Sequence, residues 1–572
     1  MKYRWKLAPV DALLADRLAG GLRISRMLAQ CLINRELDDP ARAASFLSPR
    51  LKGLADPSLI PGMNAAVDRL WLARTRGEAV VIFGDYDADG VTATTLLIEV
   101  LIPLGWKVNH YLPHRLDEGY GLTLDGVENC RQRFPVDLLL AVDCGSTAVE
   151  SIARLKDEGV EVIVLDHHQV SNPAPPAVAL VNPQLGPSGA TGFRELSSVG
   201  IAFKLAHALV KRGREMQVAD ALKFDLRPLL DLVALGTIAD LVPVMGENRI
   251  LVTAGLERLN ALERPGLRAL KEVAQIPGPI GPFEVGFQLG PRLNAAGRLE
   301  NATAALELLR ATSADAAGPL ALALDATNRE RQNIERGIAT EVIGAVRARF
   351  KPDTDFVIVE GQLLWHVGVV GIVASRVLQE FYRPTLILGG DGHEWRGSGR
   401  SIEGFDLASA LRECSDLLVR HGGHAMAAGI TIDPEKVPQF RTRLNELARR
   451  ALRPDQLQPP LRIDAESTVG ELSLERLREL ALLQPCGQGN PPVQLLLRGL
   501  THRRAPVRVG REQQHVKFWV GDQTAAAEAV WWNPGERTWP EGLFDLVAAP
   551  QINQFGGRTS VQLRVIDWRP GR

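Results

Sequence analysis

Cysteine is scarce in this sequence, and so are lysine, aromatic residues and net charge. The five cysteines, Cys31, Cys130, Cys144, Cys414 and Cys486, are odd in number, far apart and never spaced C-x-x-C. That pattern excludes a disulfide framework and a zinc ribbon and predicts reduced thiols. No uninterrupted apolar stretch reaches membrane-spanning length, and charges are scattered through residues 1–20, so neither a membrane span nor a signal peptide is expected. The expected location is the cytoplasm. With a net charge of −1 the whole molecule carries no polyelectrolyte signature, so any nucleic-acid binding must reside in a local patch. There are 12 Lys against 54 Arg. Arginine suits bidentate phosphate contacts better than lysine, although biased codon usage explains the same ratio equally well.

What is present is the composition of a soluble globular protein, 45% hydrophobic and 23% charged. A length of 572 residues suggests three or four domains. Residues 1–60 mix short amphipathic stretches with the Pro-containing "LADPSLIPGM" and predict an irregular, mostly helical segment. Residues 61–255 alternate helical patterns with "AVVIFG", "WKVNHYLP", "VDLLLAVD", "VEVIVLD" and "AVALVNP". Strands apolar on both faces and separated by helices imply a doubly wound parallel sheet. Helical periodicity dominates residues 256–350, read as a connector that ends in one long helix. A smaller α/β unit is expected over 351–452 and a linker in "RPDQLQPPLRID". Short alternating strands over 460–572 predict a small β-barrel of the OB type.

In open α/β sheets, ligands bind beyond the carboxyl ends of the strands. Four predicted strand ends here are acidic: "GDYDADG" with Asp85, Asp87 and Asp89, "VDCG" with Asp143, "LDHH" with Asp166, His167 and His168, and "GTIADLVP" with Asp240. A single aspartate there is often only a helix cap, and a lone histidine only a structural residue. Taken together, an oxygen-rich set with one or two imidazoles suits Mn²⁺ or Mg²⁺ rather than zinc. Two such ions about 4 Å apart can activate water and stabilise in-line displacement at phosphorus.

The second α/β unit offers a phosphate grip: Ser398, Arg400 and Ser401 in "WRGSGRS", and Gly422, Gly423 and His424 in "HGGHAMAAG", where exposed backbone N–H groups are expected at a helix start. A Gly-rich turn alone would be only a turn; the Arg-Ser cluster favours phosphate. Residues 491–572 hold 11 basic against 7 acidic side chains, a local net of +4. Arg503, Arg504, Arg508, Lys517 and Trp519 are the expected DNA contacts there, in the manner of OB-folds on single strands, with core packing the alternative for each tryptophan.

The ordered set "DYDADG", "DCG", "DHH", "GTIADLVP" and "GGHAMAAG" resembles the DHH phosphoesterase family, and "PHRLDEGYGL", "RLNAAGRL" and "QPCGQGNPP" resemble its RecJ-type single-stranded-DNA exonucleases. The resemblance implies a DHH domain, a DHHA1-type domain and an OB-like domain over 61–255, 351–452 and 460–572. It implies metal ligation by Asp87, Asp89, Asp143, His167 and Asp240, with Asp143 bridging, Asp85 either a ligand or a loop anchor, and Asp166 orienting an imidazole. Asp143, Asp89 and His168 would be the catalytic residues, His168 near the scissile phosphate. Many DHH proteins carry a histidine where Phe83 stands, which leaves one metal a ligand short. Arg115 and Arg298 would be further phosphate contacts in Gly-flanked loops, and Tyr120 either stacks on a base or packs. The implied activity is 5′→3′ digestion of single-stranded DNA to mononucleotides in repair and recombination. The implied protein is a monomer, without membrane contact, cooperating with a helicase and a single-strand-binding protein. Alternatives are an oligonucleotide or cyclic-dinucleotide phosphodiesterase of the same family and a non-catalytic DNA-binding scaffold.

Overall fold

A computed structural model describes residues 3–115, 117–186, 193–390, 392, 394–535 and 537–571. The chain forms two compact units, residues 48–332 with 485–491, and residues 1–47 with 333–484 and 492–572. The division falls inside the 36-residue helix Ala314–Arg349.

The first unit is built on five parallel strands in the spatial order Lys107–Tyr111, Ala79–Gly84, Leu138–Val142, Glu161–Leu165, Ala179–Val181. Strand alternation divides its apolar residues between two cores: Val80, Ile82, Leu138 and Leu140 on one face, Val81, Phe83, Leu139 and Ala141 on the other. Helices cover both faces, as both-sided apolarity requires. Chain direction across the sheet reverses between Ala79–Gly84 and Leu138–Val142, and the crevice at such a reversal is where doubly wound sheets bind ligands. Much of the stretch expected as a connector is built into this unit: Leu267, Leu270, Leu293, Leu306, Leu309 and Leu324 lie in the same core as the sheet.

The second unit contains a five-stranded sheet in the order Leu418–His424, Ala427–Ile432, Trp395–Arg400, Thr385–Gly390, Ile358–Leu363. Only the last pair is parallel. It also contains a barrel of strands Leu495–Val509, His515–Gly521, Ala526–Trp531, Phe544–Phe555 and Arg558–Pro570, closed because Leu495–Val509 pairs with both His515–Gly521 and Phe544–Phe555. Register shifts along Leu495–Val509 bend that strand, the device by which small barrels turn corners.

Two expectations are corrected here. The presumed linker contains a strand, Pro460–Ile463, which pairs in parallel with Arg4–Leu7. The proline sits at the strand's first position, where a missing N–H is tolerated. The N-terminal segment belongs with the barrel end of the chain: Trp5 Nε1 donates to the buried Asp567 carboxylate at 2.8 Å, and Arg35 pairs with Asp464 at 3.0 Å. Cys31, Cys130, Cys144 and Cys414 are buried free thiols.

In the first unit a fully buried lysine, Lys204, pairs with Glu247 at 2.8 Å and donates to the Ala55 carbonyl at 2.6 Å. Removing one partner of a buried pair strands the other charge. Lys204→Met is therefore expected to destabilise the protein by about 3–5 kcal/mol in urea unfolding, and the double variant Lys204→Met/Glu247→Leu to recover most of that loss.

Candidate metal centre and phosphate-binding groups

The acidic cluster is a direct product of sheet register. Gly84 pairs with Val142, Val142 with Leu165, and Leu165 with Val181. Hydrogen bonding continues one residue further: Asp85 N–H donates to the Val142 carbonyl (3.1 Å), Asp143 N–H to Leu165 (2.9 Å) and Asp166 N–H to Val181 (3.2 Å). Asp85, Asp143 and Asp166 thus stand in one row across the carboxyl edge. Asp87 caps the helix Ala88–Leu101, accepting from the N–H groups of Asp89 and Gly90 at 2.9 and 3.2 Å. Gly90 is needed for close approach, since a Cβ there would lie 2.5 Å from the Asp85 carbonyl oxygen. Asp89 accepts from the N–H groups of Ser198 (2.6 Å) and Val199 (3.0 Å) at the start of helix Ser198–Glu215. Ser198 Oγ donates to Asp143 at 2.8 Å. Asp143 itself adopts φ +63, a left-handed conformation that costs a non-glycine residue energy and is found at functional turns.

Three overlapping groups result, each with ligand atoms within 4.8 Å of one another: Asp85, Asp87 and Asp143; Asp89, His167 and Asp240; and Asp143, His167 and His168. His167 Nε2 lies 3.5 Å from both Asp143 and Asp240. Asp240 is not at a strand end as expected; it caps the C-terminus of helix Leu230–Ala239. Asp85 Oδ1, His167 Nε2 and Asp240 Oδ2 are buried polar atoms without a hydrogen-bond partner.

Burial, reinforced by repulsion from neighbouring carboxylates, pushes the carboxyls of Asp85, Asp143 and Asp240 well above their ordinary range and that of Asp89 to about 7. Burial likewise lowers His167 to about 4, leaving it the neutral imidazole a metal requires. Two like charges about 4 Å apart repel by about 4 kcal/mol at an effective dielectric near 20, several times the roughly 1 kcal/mol that a helix cap contributes. Capping alone does not offset the cluster, whereas divalent cations do. The donor set, carboxylates with one neutral imidazole and orphaned atoms facing inward, fits Mn²⁺ or Mg²⁺. Phe83 adds no ligand: its ring packs in the core with Tyr111, centroids 5.5 Å apart.

Asp166 belongs to the support. It accepts from the N–H groups of Ser146, His167 and His168 and from His168 Nδ1 at 2.8 Å. Burial opposes its charge, but these bonds hold its carboxyl below the usual range and raise His168. His168 Nε2 faces outward, 3.2 Å from the Tyr120 hydroxyl. Tyr120 therefore contacts the site directly, edge-on to Tyr86 and His168 and 59% exposed. Arg115 lies over the Tyr86 ring at 5.2 Å. Arg298 is not in a loop but in the last turn of helix Gly290–Leu299, where burial and the neighbouring guanidiniums of Arg115 and Arg331 lower it to about 10. The same helix packs on the acidic loop: Asn294 Oδ1 accepts from Ala88 N–H at 2.7 Å, and a Cβ on Gly297 would lie 2.5 Å from the Tyr86 carbonyl oxygen. Sequence reasoning missed Ser198 and Asn294. Their partners are over 50 and 200 residues away in the chain.

In the second unit, Arg400 donates to Ser398 Oγ at 2.9 Å. A Cβ on Gly371, in the first turn of helix Val370–Phe381, would come within 2.9 Å of that hydroxyl and 3.2 Å of the guanidinium. Here lies the helix start beside the Arg-Ser pair, and Gly371 is the residue the sequence did not single out. Gly422, Gly423 and His424 are instead in strand Leu418–His424, hairpinned to Ala427–Ile432. Gly423 has φ +137 and lies against the Ala427–Ala428 backbone, so only glycine fits. Ser401 turns inward: it is buried and donates to the Phe405 carbonyl at 2.7 Å, which removes it from the phosphate set.

On the barrel, Arg503, Arg504 and Arg508 are exposed, and Arg504 stacks over Trp519 at 5.1 Å. Lys517 is paired with Glu528 at 2.7 Å, which weakens it as a phosphate contact. Trp531 is core, while Trp532 is half exposed beside His515.

Comparison with known proteins agrees with this layout. Residues 79–237 match the DHH family, N-terminal domain, residues 354–450 the DHHA1 domain, and residues 463–567 the RecJ OB domain. The chain is 37% identical to the single-stranded-DNA-specific exonuclease RecJ of Bacillus subtilis, covering 99% of this chain and 71% of that protein. It is 35% identical to the Salmonella typhimurium enzyme of the same name, covering 92% and 94%. The crystal structure of RecJ from Thermus thermophilus in complex with Mn²⁺ superposes with a TM-score of 0.84 at 30% identity, covering 100% of this chain and 80% of that one.

Because a cation bound only by the folded cluster stabilises it by mass action, Mn²⁺ at a hundred times its dissociation constant is expected to add about 2.7 kcal/mol per site to unfolding stability. Asp143→Ala is expected to abolish that increment in a thermal-shift titration; an unchanged increment would remove Asp143 from the centre.

Proposed function

The chain belongs to the RecJ family of single-stranded-DNA-specific exonucleases, and we propose that it digests single-stranded DNA from the 5′ end to mononucleotides with two divalent cations, Mn²⁺ or Mg²⁺. The carrying observation is the convergence of Asp85, Asp87, Asp89, Asp143, His167 and Asp240, with three orphaned inward-facing atoms, at the reversal point of the parallel sheet. Its retention speaks against a non-catalytic scaffold.

Bound there, the cations would polarise the phosphodiester and lower the pKa of water, the chemistry that no side chain in the cluster supplies. This chain's own residues hold and orient. Asp143, which stands in two of the three groups and lies 3.5 Å from His167, would help to hold both cations. Asp85, with an orphaned oxygen, is assigned as a ligand rather than a loop anchor. Asp166 fixes the His168 tautomer with Nδ1 protonated, so that Nε2 is presented toward a phosphoryl or leaving oxygen. Arg298, repelled by the guanidiniums of Arg115 and Arg331, would gain from a phosphate beside it. Tyr120 covers His168 and offers its exposed ring to a base.

Grip on the terminal 5′ phosphate is assigned to Ser398, Arg400, Gly371 and the Gly422–His424 strand, a bidentate donor beside a helix N-terminus. The barrel, through Arg503, Arg504, Arg508 and Trp519, is assigned to the single strand beyond. The corresponding domains are residues 61–255, 351–452 and 460–572. The biological setting we assign is repair and recombination in the cytoplasm, as a monomer, with a helicase and a single-strand-binding protein supplying and guarding the strand.

Single strands labelled at either end test the polarity. With Mn²⁺ present, a 5′ label is expected to appear at once as mononucleotide, and a 3′ label only after progressive shortening; the opposite order would overturn the reading. Arg400→Ala is expected to raise KM for 5′-phosphorylated strands about 10–100-fold, the equivalent of one charge-assisted contact, with kcat nearly unchanged.

A further inference from the structure

The motif "QPCGQGNPP" has no part in the chemistry assigned so far, yet residues 485–491 belong to the sheet unit while the chain on either side belongs to the other. The segment is a closed turn. Gly487 N–H donates to the Asn490 carbonyl at 2.9 Å, Asn490 N–H to the Gly487 carbonyl at 3.1 Å, and the fully buried Asn490 Nδ2 to the Pro485 carbonyl at 3.0 Å. It is pressed against residues 243–249. Val244 N–H donates to the Gln488 carbonyl at 2.8 Å, and the buried Arg249 donates to the Pro485 carbonyl at 3.2 Å. A Cβ on Gly487 would lie 2.6 Å from Val244 Cγ2, and one on Gly489, where φ is +74, would lie 3.1 Å from Pro243.

What this turn holds begins three residues after a metal ligand. Asp240 ends helix Leu230–Ala239, its N–H bonded to the Gly236 carbonyl at 2.9 Å. The chain then passes through Leu241, which is left-handed at φ +61 and 67% exposed, before reaching Pro243. The helix fixes Asp240 on one side only. On the other side Leu241 N–H returns to the same helix, to the Ile238 carbonyl at 3.3 Å, and the next restraints act on 243–245, from Asn248 Nδ2 on the Pro243 carbonyl at 3.0 Å and from the 485–491 turn. Asp240 Oδ2 carries no hydrogen bond that would orient it.

We propose that the Pro485–Pro491 turn is a positioning element of the metal centre, setting Asp240 for the cation shared with Asp89 and His167. It rests on the metal reading above. Gly487, Gly489 and Asn490 are its positioning residues: two glycines permit contact too close for any side chain, and the asparagine locks the turn. A segment 240 residues distant in sequence thereby completes a site otherwise built from residues 85–240.

Calorimetric titration of the full chain with Mn²⁺ tests this. Wild type is expected to bind two equivalents. In Asn490→Ala and in Gly487→Val one of the two is expected to weaken about 10–100-fold, as when other supporting partners of ligands are lost, and the second to stay within about twofold. Digestion of single strands by these variants should recover at saturating Mn²⁺. Adding Asp240→Asn to Asn490→Ala should weaken the affected ion no further than Asp240→Asn alone, since both act through one ligand. Asn490→Ala removes a side chain without adding bulk, so it decides the matter whether or not Gly487→Val folds. Two Mn²⁺ ions bound as in wild type by Asn490→Ala would overturn the proposal. Failure of wild type itself to bind Mn²⁺ would instead overturn the metal reading on which it rests.

Discussion

Repulsion among carboxylates that the fold forces together is the constraint on which the rest of this structure depends. Register across four parallel strands places Asp85, Asp143 and Asp166 side by side, and two helix termini bring Asp89 and Asp240 to them. The apolar sheet beneath, buried on both faces, supplies the stability that lets so unfavourable a cluster persist. Asp166 is satisfied by donors from the chain, and Asp89 accepts one backbone N–H on each oxygen. Asp85 and Asp240 each keep a buried oxygen without a hydrogen bond, and burial with carboxylate repulsion raises both. Site and stability are thus opposed locally and reconciled by the metal.

The same economy governs the supporting groups. His167 is kept neutral by burial and left with an unpartnered nitrogen, while its neighbour His168 is tied to Asp166 and turned outward. Adjacent residues with the same side chain therefore take different roles because the His168 imidazole is hydrogen-bonded to a carboxylate and His167 Nε2 is not. In the first unit burial and the guanidiniums of Arg115 and Arg331 lower the proton affinity of Arg298, and in the second unit Arg400 donates to Ser398 beside a helix start. A phosphate placed beside either group would gain charge-assisted hydrogen bonds.

Much of this was legible in the sequence, and the reasons differ by residue. Strands that are apolar on both faces and end in Asp announce a parallel sheet and its ligand edge, so Asp85, Asp143 and the Asp-His-His run were placed from pattern alone. Asp240 was found but on the wrong element, because "DLVALGTIA" is apolar all round and such a run carries no period to separate helix from strand. Glycines in the Gly-Gly-His segment suggest a helix start, whereas the structure requires Gly423 for a hairpin neighbour too close for a Cβ. Ser398 and Arg400 lie in strand Trp395–Arg400, whereas Ser401 follows it and turns to the Phe405 carbonyl. Ser198, Asn294, Gly371 and the strand pairing of Arg4–Leu7 with Pro460–Ile463 were beyond reach, since each depends on partners remote in the chain.

Anomalous scattering at the manganese edge, from crystals grown with Mn²⁺, reads the central claim most directly. The account predicts two peaks about 4 Å apart, enclosed by Asp85, Asp87, Asp89, Asp143, His167 and Asp240, with Asp143 touching both. Density for none, or peaks elsewhere with these side chains turned from one another, would contradict it.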